Sequence, residues 1–274
     1  MSDPKRNLRV TIAGASGFVG GALIQSAPEN WHVNGLSRRE SARSSQGVSW
    51  RQADLFSLQS STDALVDTDV AIYLVHSMLP STRLFQGNFA DADLLIADNF
   101  ANGCVKAGVK QIIYLGGLVP EKKISKHLAS RQEVEEVFKA TGIPCTIFRS
   151  GMVAGSGGSS FEILRRLVLN LPAMILPQWT QMNTQVIYID DLVRVILASV
   201  MNPEFFNRTI DAVNGEKLNY EKLIRMTART FGRKPPLFHV PIHSTAFSKL
   251  WVSFFGQTDY ELVSPLIDSL VCDL

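Results

Sequence analysis

The chain has 274 residues, of which 46% are hydrophobic and 19% are charged, and its formal net charge is +2. This composition supports one large α/β domain, or one domain with a small second lobe, and it excludes a disordered chain. The near balance of charge argues against nucleic acid as the main partner, because nucleic-acid-binding proteins concentrate basic residues.

Apolar runs alternate with helix-like segments through the first half of the chain. Strands are predicted at 8–13, 31–36, 48–53, 70–75, 111–115 and 145–149, and helices after the first strand and at 61–66, 89–107 and 128–140. Gly108 and Gly142 stand where C-cap glycines are expected. Alternation of this kind implies parallel βαβ units with right-handed crossovers, so we expect an α/β fold with a doubly wound parallel sheet.

The pattern loosens after about Gly151. A glycine- and serine-rich segment at 155–160 is predicted to be a flexible loop, followed by a strand at 185–189, a helix at 190–200, a strand at 208–213 and a helix at 220–231. We expect residues 1–150 to form the core and residues 151–274 a smaller mixed α/β lobe that returns elements to the sheet. The apolar helical pattern at 260–274 is consistent either with a docked terminal helix or with truncation of a longer protein.

The segment Gly14-Ala15-Ser16-Gly17-Phe18-Val19-Gly20 follows the first strand directly and opens a helix. Gly14 permits a tight turn, Gly17 lets a pyrophosphate approach the backbone, and Gly20 lets the helix and strand pack closely. Free N–H groups and the helix dipole would hold the phosphates. The loop predicts a nicotinamide dinucleotide in a Rossmann-like core. The residues expected at the cofactor here are Gly14, Ser16, Gly17, Phe18, Val19 and Gly20.

The end of the second strand bears on the choice of dinucleotide. It reads Ser37-Arg38-Arg39-Glu40, with Ser37 where an NAD site usually has an acid. Arg38 and Arg39 match the geometry of a 2′-phosphate, which favours NADP(H) over NAD(H). Two alternatives stay open: the arginines form a solvated strand end, or Glu40 does the work of the acid.

These residues resemble the short-chain dehydrogenase/reductase superfamily, and most closely its atypical, NmrA-like branch of NAD(P)-binding proteins. The resemblance covers about residues 8–200. It rests on the 14–20 loop, Ser37-Arg38, Ala53-Asp54-Leu55, Tyr73-Leu74-Val75-His76-Ser77, Ala107-Gly108-Val109-Lys110, Ile112-Ile113-Tyr114-Leu115 and Phe148-Arg149-Ser150-Gly151.

The resemblance implies further cofactor contacts. Asp54 and Leu55 would border the adenine, although Asp54 could equally cap a turn at the strand end. Val75 and His76 would lie beside the ribose and nicotinamide. Ser150, Gly151 and Met152 would face the carboxamide end. Ser77, Gly116 and Arg131 are the other residues expected at the cofactor.

The chain departs from the catalytic members of that superfamily. They carry Tyr-x-x-x-Lys on the helix after the fifth strand and a serine at the end of that strand. Here no tyrosine is followed by a lysine four residues later. Gly116-Gly117 follows the fifth strand, so the serine is missing too, and His127 and Arg131 stand at the Tyr and Lys positions. Either His127 is a substitute acid/base, with Arg131 on the ribose, or the chemistry has been lost and the pair is a partly solvated helix face.

Other polar groups carry weaker signals. Asp190-Asp191 is interpreted as an N-cap and first-turn acid, and His239 and His243 are separated by Pro241, so no metal is expected. Trp179, Met182 and Phe161 could line an apolar pocket or belong to the core. Three widely spaced cysteines and the absence of a secretion-signal pattern favour a cytoplasmic protein, and no segment reads as a membrane span.

Two functions follow from the sequence. The first is an NADP(H)-binding redox sensor or accessory protein that lacks catalysis. The second is an NADPH-dependent oxidoreductase acting on a small apolar carbonyl, enone or quinone-like substrate. A protein partner is compatible with either, and the sequence does not identify one.

Overall fold

The computed structural model describes residues 7–38, 48–75, 89–120 and 124–241, together with residues 249 and 253. The strands are β1 (Arg9–Ala13), β2 (His32–Ser37), β3 (Val48–Gln52), β4 (Val70–Tyr73), β5 (Gln111–Gly117), β6 (Cys145–Ser150), β7 (Met152–Ala154), β8 (Met174–Leu176), β9 (Asn183–Thr184), β10 (Val186–Tyr188), β11 (Arg208–Asp211), β12 (Leu218–Asn219) and β13 (Leu237–His239). The helices are α1 (Phe18–Ser26), α2 (Leu58–Ala64), α3 (Phe89–Ala107), α4 (Lys126–Ala140), α5 (Ser159–Asn170), α6 (Ile189–Ser199) and α7 (Tyr220–Thr230).

A seven-stranded sheet in the order β11-β6-β5-β4-β1-β2-β3 forms the centre of the fold. Every neighbouring pair in it is parallel, so the predicted doubly wound sheet is confirmed. The chain moves from β1 outward to β2 and β3, then returns to the other side of β1 with β4. The carboxyl end of β1 therefore lies at the topological switch point, where open α/β sheets bind ligands.

Both faces of the sheet are buried, because successive side chains of each strand point to opposite sides. Tyr114 on β5 packs with Phe100 of α3 and Phe138 of α4 in one core cluster. Ile113, the preceding residue, belongs to the opposite cluster with residues of α1 and α6. This arrangement explains why the predicted strands read as nearly continuous apolar runs.

The second half of the chain adds one strand to the sheet and a separate core. β11 pairs with β6 in parallel, as expected of a lobe that returns to the sheet. A third cluster is built mainly from α5 and α7. This half of the chain also contains three two-stranded sheets, β10–β7, β12–β9 and β13–β8. A domain boundary near residue 150 stays a prediction. Within the described ranges, no helix combines the length and the apolar character needed to cross a membrane.

Two local predictions need correction. The N-cap of α6 is Tyr188, and both Asp190 and Asp191 lie in the first helical turn. Their negative charges interact favourably there with the positive end of the helix dipole. The 155–160 segment is a loop only as far as Gly158, because α5 begins at Ser159.

Candidate active site at the carboxyl edge of the sheet

The loop between β1 and α1 has a shape that fits a pyrophosphate. Gly14 has φ +85°, a left-handed conformation that favours glycine, and a Cβ there would lie 3.0 Å from the backbone of Leu74. A Cβ at Gly20 would lie 2.4 Å from the carbonyl oxygen of Gly14, so only glycine lets α1 start this close to β1. The exposed Gly17 is the N-cap of α1 and supplies no side-chain cap. An anion at Gly17 would meet the first N–H groups of the helix.

Ser37 and Arg38 lie at the same edge of the sheet as this loop. Ser37 pairs with Gln52 across β2 and β3, and Gln52 Nε2 donates to the carbonyl oxygen of Arg38 at 3.4 Å. The Arg38 side chain is exposed. Since β2 is the immediate neighbour of β1, Arg38 follows the strand next to the one that carries the glycine loop.

Asp54 forms a turn between β3 and α2. Its Oδ1 accepts a hydrogen bond from the Phe56 backbone N–H at 3.0 Å, and its own N–H donates to Ser60 Oγ at 2.9 Å. The turn-cap alternative therefore describes its contacts in this structure. Leu55 is buried in the core beside it. Contact of Asp54 and Leu55 with an adenine stays a prediction.

The end of β5 is unusually close to α4. A Cβ at Gly117 would lie 2.8 Å from Leu128 Cδ2 and 3.4 Å from Arg131 Cδ, and one at Gly116 would lie 3.1 Å from Glu135 Oε1. Side chains of α4 thus occupy the space beside the strand end where related enzymes carry a serine. The two glycines are the last residues of the strand rather than the residues after it, because they pair with Arg149 and Ser150 of β6.

His127 and Arg131 lie one turn apart on α4, which begins at Lys126 after the N-cap Ser125. His127 is half-buried in the first turn. Arg131 Nη2 donates to the carbonyl oxygen of Leu115 at 2.6 Å, and its guanidinium carbon lies 6.0 Å from the centroid of the Tyr114 ring. Tyr114 Oη in turn donates to the carbonyl oxygen of Arg131 at 3.3 Å. Arg131 is therefore tied to β5.

The sequence does not indicate the contact of Tyr114 with Arg131 or the ion pair one turn further along α4. Burial raises the pKa of Tyr114, and the charge of Arg131 opposes that shift only in part. Glu135, fully buried, accepts from Arg149 Nε at 2.9 Å through Oε1 and from Arg149 Nη2 at 2.7 Å through Oε2. The i, i+4, i+8 spacing of His127, Arg131 and Glu135 was the only available signal, since it places all three on one face of α4.

The segment after β6 contacts Gln185, the residue before β10, at this edge. Ser150 is buried, and its carbonyl oxygen accepts from the Leu118 N–H at 3.2 Å. A Cβ at Gly151 would lie 2.3 Å from the Gln185 carbonyl oxygen, which also accepts from the Met152 N–H at 3.2 Å. The site residues predicted here thus come together with the end of β5.

The loop at 155–158 packs directly on the glycine loop. The Phe18 ring lies 2.8 Å from the position of a Cβ at either Gly155 or Gly158, and Gly158 is the N-cap of α5. Gly157, with φ +93°, turns the chain around the same ring. Phe18 therefore links the start of α1 to the start of α5, a contact that no sequence pattern indicated.

The remaining predictions divide into three groups. Val75 is half-buried and packs against the core cluster that contains Tyr114. Trp179 and Met182 pack against the third cluster. Burial raises the pKa of Cys104, and it raises the pKa of Cys145 to about 12, so neither thiol is a ready nucleophile. The predictions for Arg39, Glu40, His76, Ser77, His243 and the 260–274 helix lie outside the described residues.

Comparison with known proteins follows this geometry. The sequence model of the NmrA-like family matches residues 6–258. The protein belongs to the NmrA-like family. This match confirms the resemblance to the NmrA-like branch inferred from the motifs, and the parallel sheet confirms the Rossmann-like core.

Known relatives of this NmrA-like protein differ in extent. The auxiliary protein GraX of Staphylococcus aureus is 25% identical over 111 residues, which are 40% of this chain and 36% of GraX, so the match spans about a third of that relative. A nucleoside-diphosphate-sugar epimerase of Staphylococcus aureus has a TM-score of 0.75 at 16% identity, with 97% of this chain and 92% of the epimerase covered. UDP-glucuronic acid 4-epimerase from Bacillus cereus, solved in complex with NAD, has a TM-score of 0.70 at 15% identity, with 94% and 99% covered. At these identities the structures establish a shared fold.

Proposed function

We propose that this NmrA-like protein binds NADP(H) at the carboxyl edge of its sheet and serves as a redox sensor or accessory protein. The pyrophosphate would lie on the 14–20 loop. Arg38, with Arg39 next in sequence, would take the 2′-phosphate. The nicotinamide would face the segment from Ser150 to Met152. When bound, the cofactor would supply hydride chemistry, and the chain would orient it.

The packing of α4 on the end of β5 carries the non-catalytic part of this proposal. Leu128 and Arg131 fill the space beside Gly117, and the Arg131 guanidinium is held by the Leu115 carbonyl oxygen. A lysine in the usual role lowers the pKa of a neighbouring tyrosine and holds the ribose. An arginine that stays charged and is bonded to a strand cannot shuttle protons in this way. The name of GraX, an auxiliary protein, is in line with an accessory role.

Calorimetric titration with NADPH and NADH tests the cofactor assignment. We expect NADPH to bind at least about tenfold more tightly than NADH, and Arg38→Ala to remove that preference by weakening NADPH alone. Arg208→Ala is the matched control, because this exposed arginine begins β11 at the opposite edge of the sheet. Equal losses for both nucleotides in Arg38→Ala would exclude a 2′-phosphate contact.

An NADPH-dependent oxidoreductase is the second candidate. The observation that favours it is the position of His127, half-buried in the first turn of α4 and one turn before Arg131. NADPH oxidation against quinones, enones and aldehydes is the test, with His127→Ala compared with His32→Ala at the start of β2. Turnover lost only in His127→Ala, with NADPH affinity retained, would establish the enzyme. Tight NADPH binding without turnover on any substrate supports the sensor or accessory role.

A further inference from the structure

A cleft lies in the C-terminal half of the chain, between α7 and the segment that follows it. Its volume is about 370 Å³, and none of its lining residues belongs to the central sheet or its carboxyl edge. The lining consists of Ile224, Arg225, Ala228, Arg229, Arg233, Lys234, Pro235 and Leu237. Four of these eight side chains are cationic and none is acidic, so the cleft has a strong positive bias.

Only one of these four cations has an acidic partner among the described residues. Arg225 forms an ion pair with Glu221 at 2.7 Å. Arg233 donates instead to two neutral acceptors, the carbonyl oxygens of Leu169 and Leu171 at the end of α5. Among the described residues, no carboxylate lies within ion-pair distance of Arg229, Arg233 or Lys234. Three cations therefore line one cleft with no acidic partner in the described part of the chain.

The backbone fixes these cations relative to one another. Gly232, with φ +67°, ends α7, and its N–H donates to the Arg229 carbonyl oxygen at 3.0 Å. The Arg233 N–H donates to the Ala228 carbonyl oxygen at 2.8 Å. This pair of bonds is the Schellman motif, which turns the chain back beside the last turn of the helix. It brings Arg233 and Lys234 next to Arg229, and it involves no side chain of the three.

The rest of the cleft is apolar. Ile224 and Ala228 are buried in the third core cluster, and Leu237 packs against that cluster from β13. An inorganic anion would use the cations alone, whereas an anion with a hydrocarbon part would also cover this apolar floor. Guanidinium groups match phosphate oxygens in geometry and keep their charge at any physiological pH.

We propose that the α7 cleft binds a phosphate monoester that carries an apolar group. Arg229, Arg233 and Lys234 bind the phosphate, and Ile224, Ala228 and Leu237 contact the apolar group. The site is independent of the dinucleotide site and of its assignment. The same chemistry occurs in small organic phosphates and in the headgroup of phosphatidic acid, so the experiment separates these two sources.

The test compares hexyl phosphate with inorganic phosphate by calorimetry on the full chain. We expect hexyl phosphate to bind at least about tenfold more tightly, because its chain covers the apolar floor. Arg229→Ala/Lys234→Ala should weaken it at least about tenfold. Both side chains are exposed, so the fold should be retained. The matched control is Lys217→Ala/Lys222→Ala, which removes the same charge just before and at the start of α7.

Cosedimentation with phosphatidylcholine vesicles containing phosphatidic acid identifies the source. Vesicle binding that is lost in Arg229→Ala/Lys234→Ala, together with hexyl phosphate binding, assigns the lipid headgroup. Hexyl phosphate binding without vesicle binding assigns a free organic phosphate. Three results would overturn the proposal: equal affinity for the two phosphates, equal loss in the two double variants, or vesicle binding without hexyl phosphate binding.

Discussion

The buried carboxylate of Glu135 and the guanidinium of Arg149 form a bidentate ion pair that joins α4 to β6 beside Gly116. Glu135 is 0% exposed, so Arg149 and Lys139, rather than water, face its carboxylate; Lys139 Nζ lies 3.9 Å from Oε2. Glu135 lies one turn after Arg131 on α4. The pair holds α4 against the strand end that the proposed cofactor would face. It is a charge-assisted link between the helix and the sheet at this site.

Removing the carboxylate should destabilise the fold strongly. Glu135→Ala leaves the partly buried Arg149 without its hydrogen-bonded counter-charge, and we expect a loss of about 3 kcal/mol in the free energy of unfolding. Glu136→Ala, which removes an exposed carboxylate next in sequence, should cost less than about 1 kcal/mol. Urea unfolding of both variants measures the difference. Similar losses in the two would mean that the buried pair contributes little.

A serine at position 117, near where the catalytic short-chain dehydrogenases carry theirs, should clash with α4. Gly117→Ser places a Cβ 2.8 Å from Leu128 Cδ2, and we expect a cost of about 1–3 kcal/mol from overpacking. Leu128→Ala alone should also destabilise, because Leu128 is buried. In a double-mutant cycle the combined variant should lose less than the sum of the two. Strict additivity would show that Leu128 does not obstruct this position.

Asp69 should make stability depend on acid pH. Its burial acts to raise its pKa, but hydrogen bonds from Lys110 and from the backbone and side chain of Arg9 outweigh that effect and lower the pKa to about 2. The carboxylate therefore stabilises the fold fully above about pH 4, and this contribution is lost as the pH falls toward 2. The difference in Tm between wild type and Asp69→Asn should shrink over that interval. Asp67→Asn, which removes the exposed partner of Arg9, is the control. A difference that stays constant down to pH 2 would contradict the assignment.

Much of this fold follows from the sequence because hydrophobic periodicity dominates it. The helix predicted at 89–107 coincides with α3, and Gly108 and Gly142 have the positive φ expected of C-caps. The end of β5 was placed too early, since two glycines extend a strand only when a neighbouring strand supplies partners, as β6 does. Strands of two or three residues, such as β9, carry no detectable period.

The candidate site was predictable in its loop and not in its supporting contacts. The spacing of Gly14, Gly17 and Gly20 indicated a close approach of α1 and β1, and the steric limits at Gly14 and Gly20 agree with that reasoning. The pairing of Glu135 with Arg149 could not be inferred from the sequence, because a charged residue on a helix is expected to be exposed unless its partner is known. The contact of Phe18 with Gly158 joins residues far apart in sequence, and neither belongs to a periodic pattern.

The most direct test of nucleotide binding uses two glycines, Gly17 at the N-cap of α1 and Gly21 inside it. Gly17 has φ −80°, which any residue adopts, and a Cβ there would meet only the Gly14 carbonyl oxygen at 3.2 Å. A Cβ at Gly21 would meet nothing within 4 Å. We expect NADPH affinity, measured by calorimetry, to fall at least about tenfold in Gly17→Ala and to be unchanged in Gly21→Ala, because only the first methyl group would obstruct the pyrophosphate. Undiminished NADPH binding in a folded Gly17→Ala protein would contradict the placement of the dinucleotide on this loop.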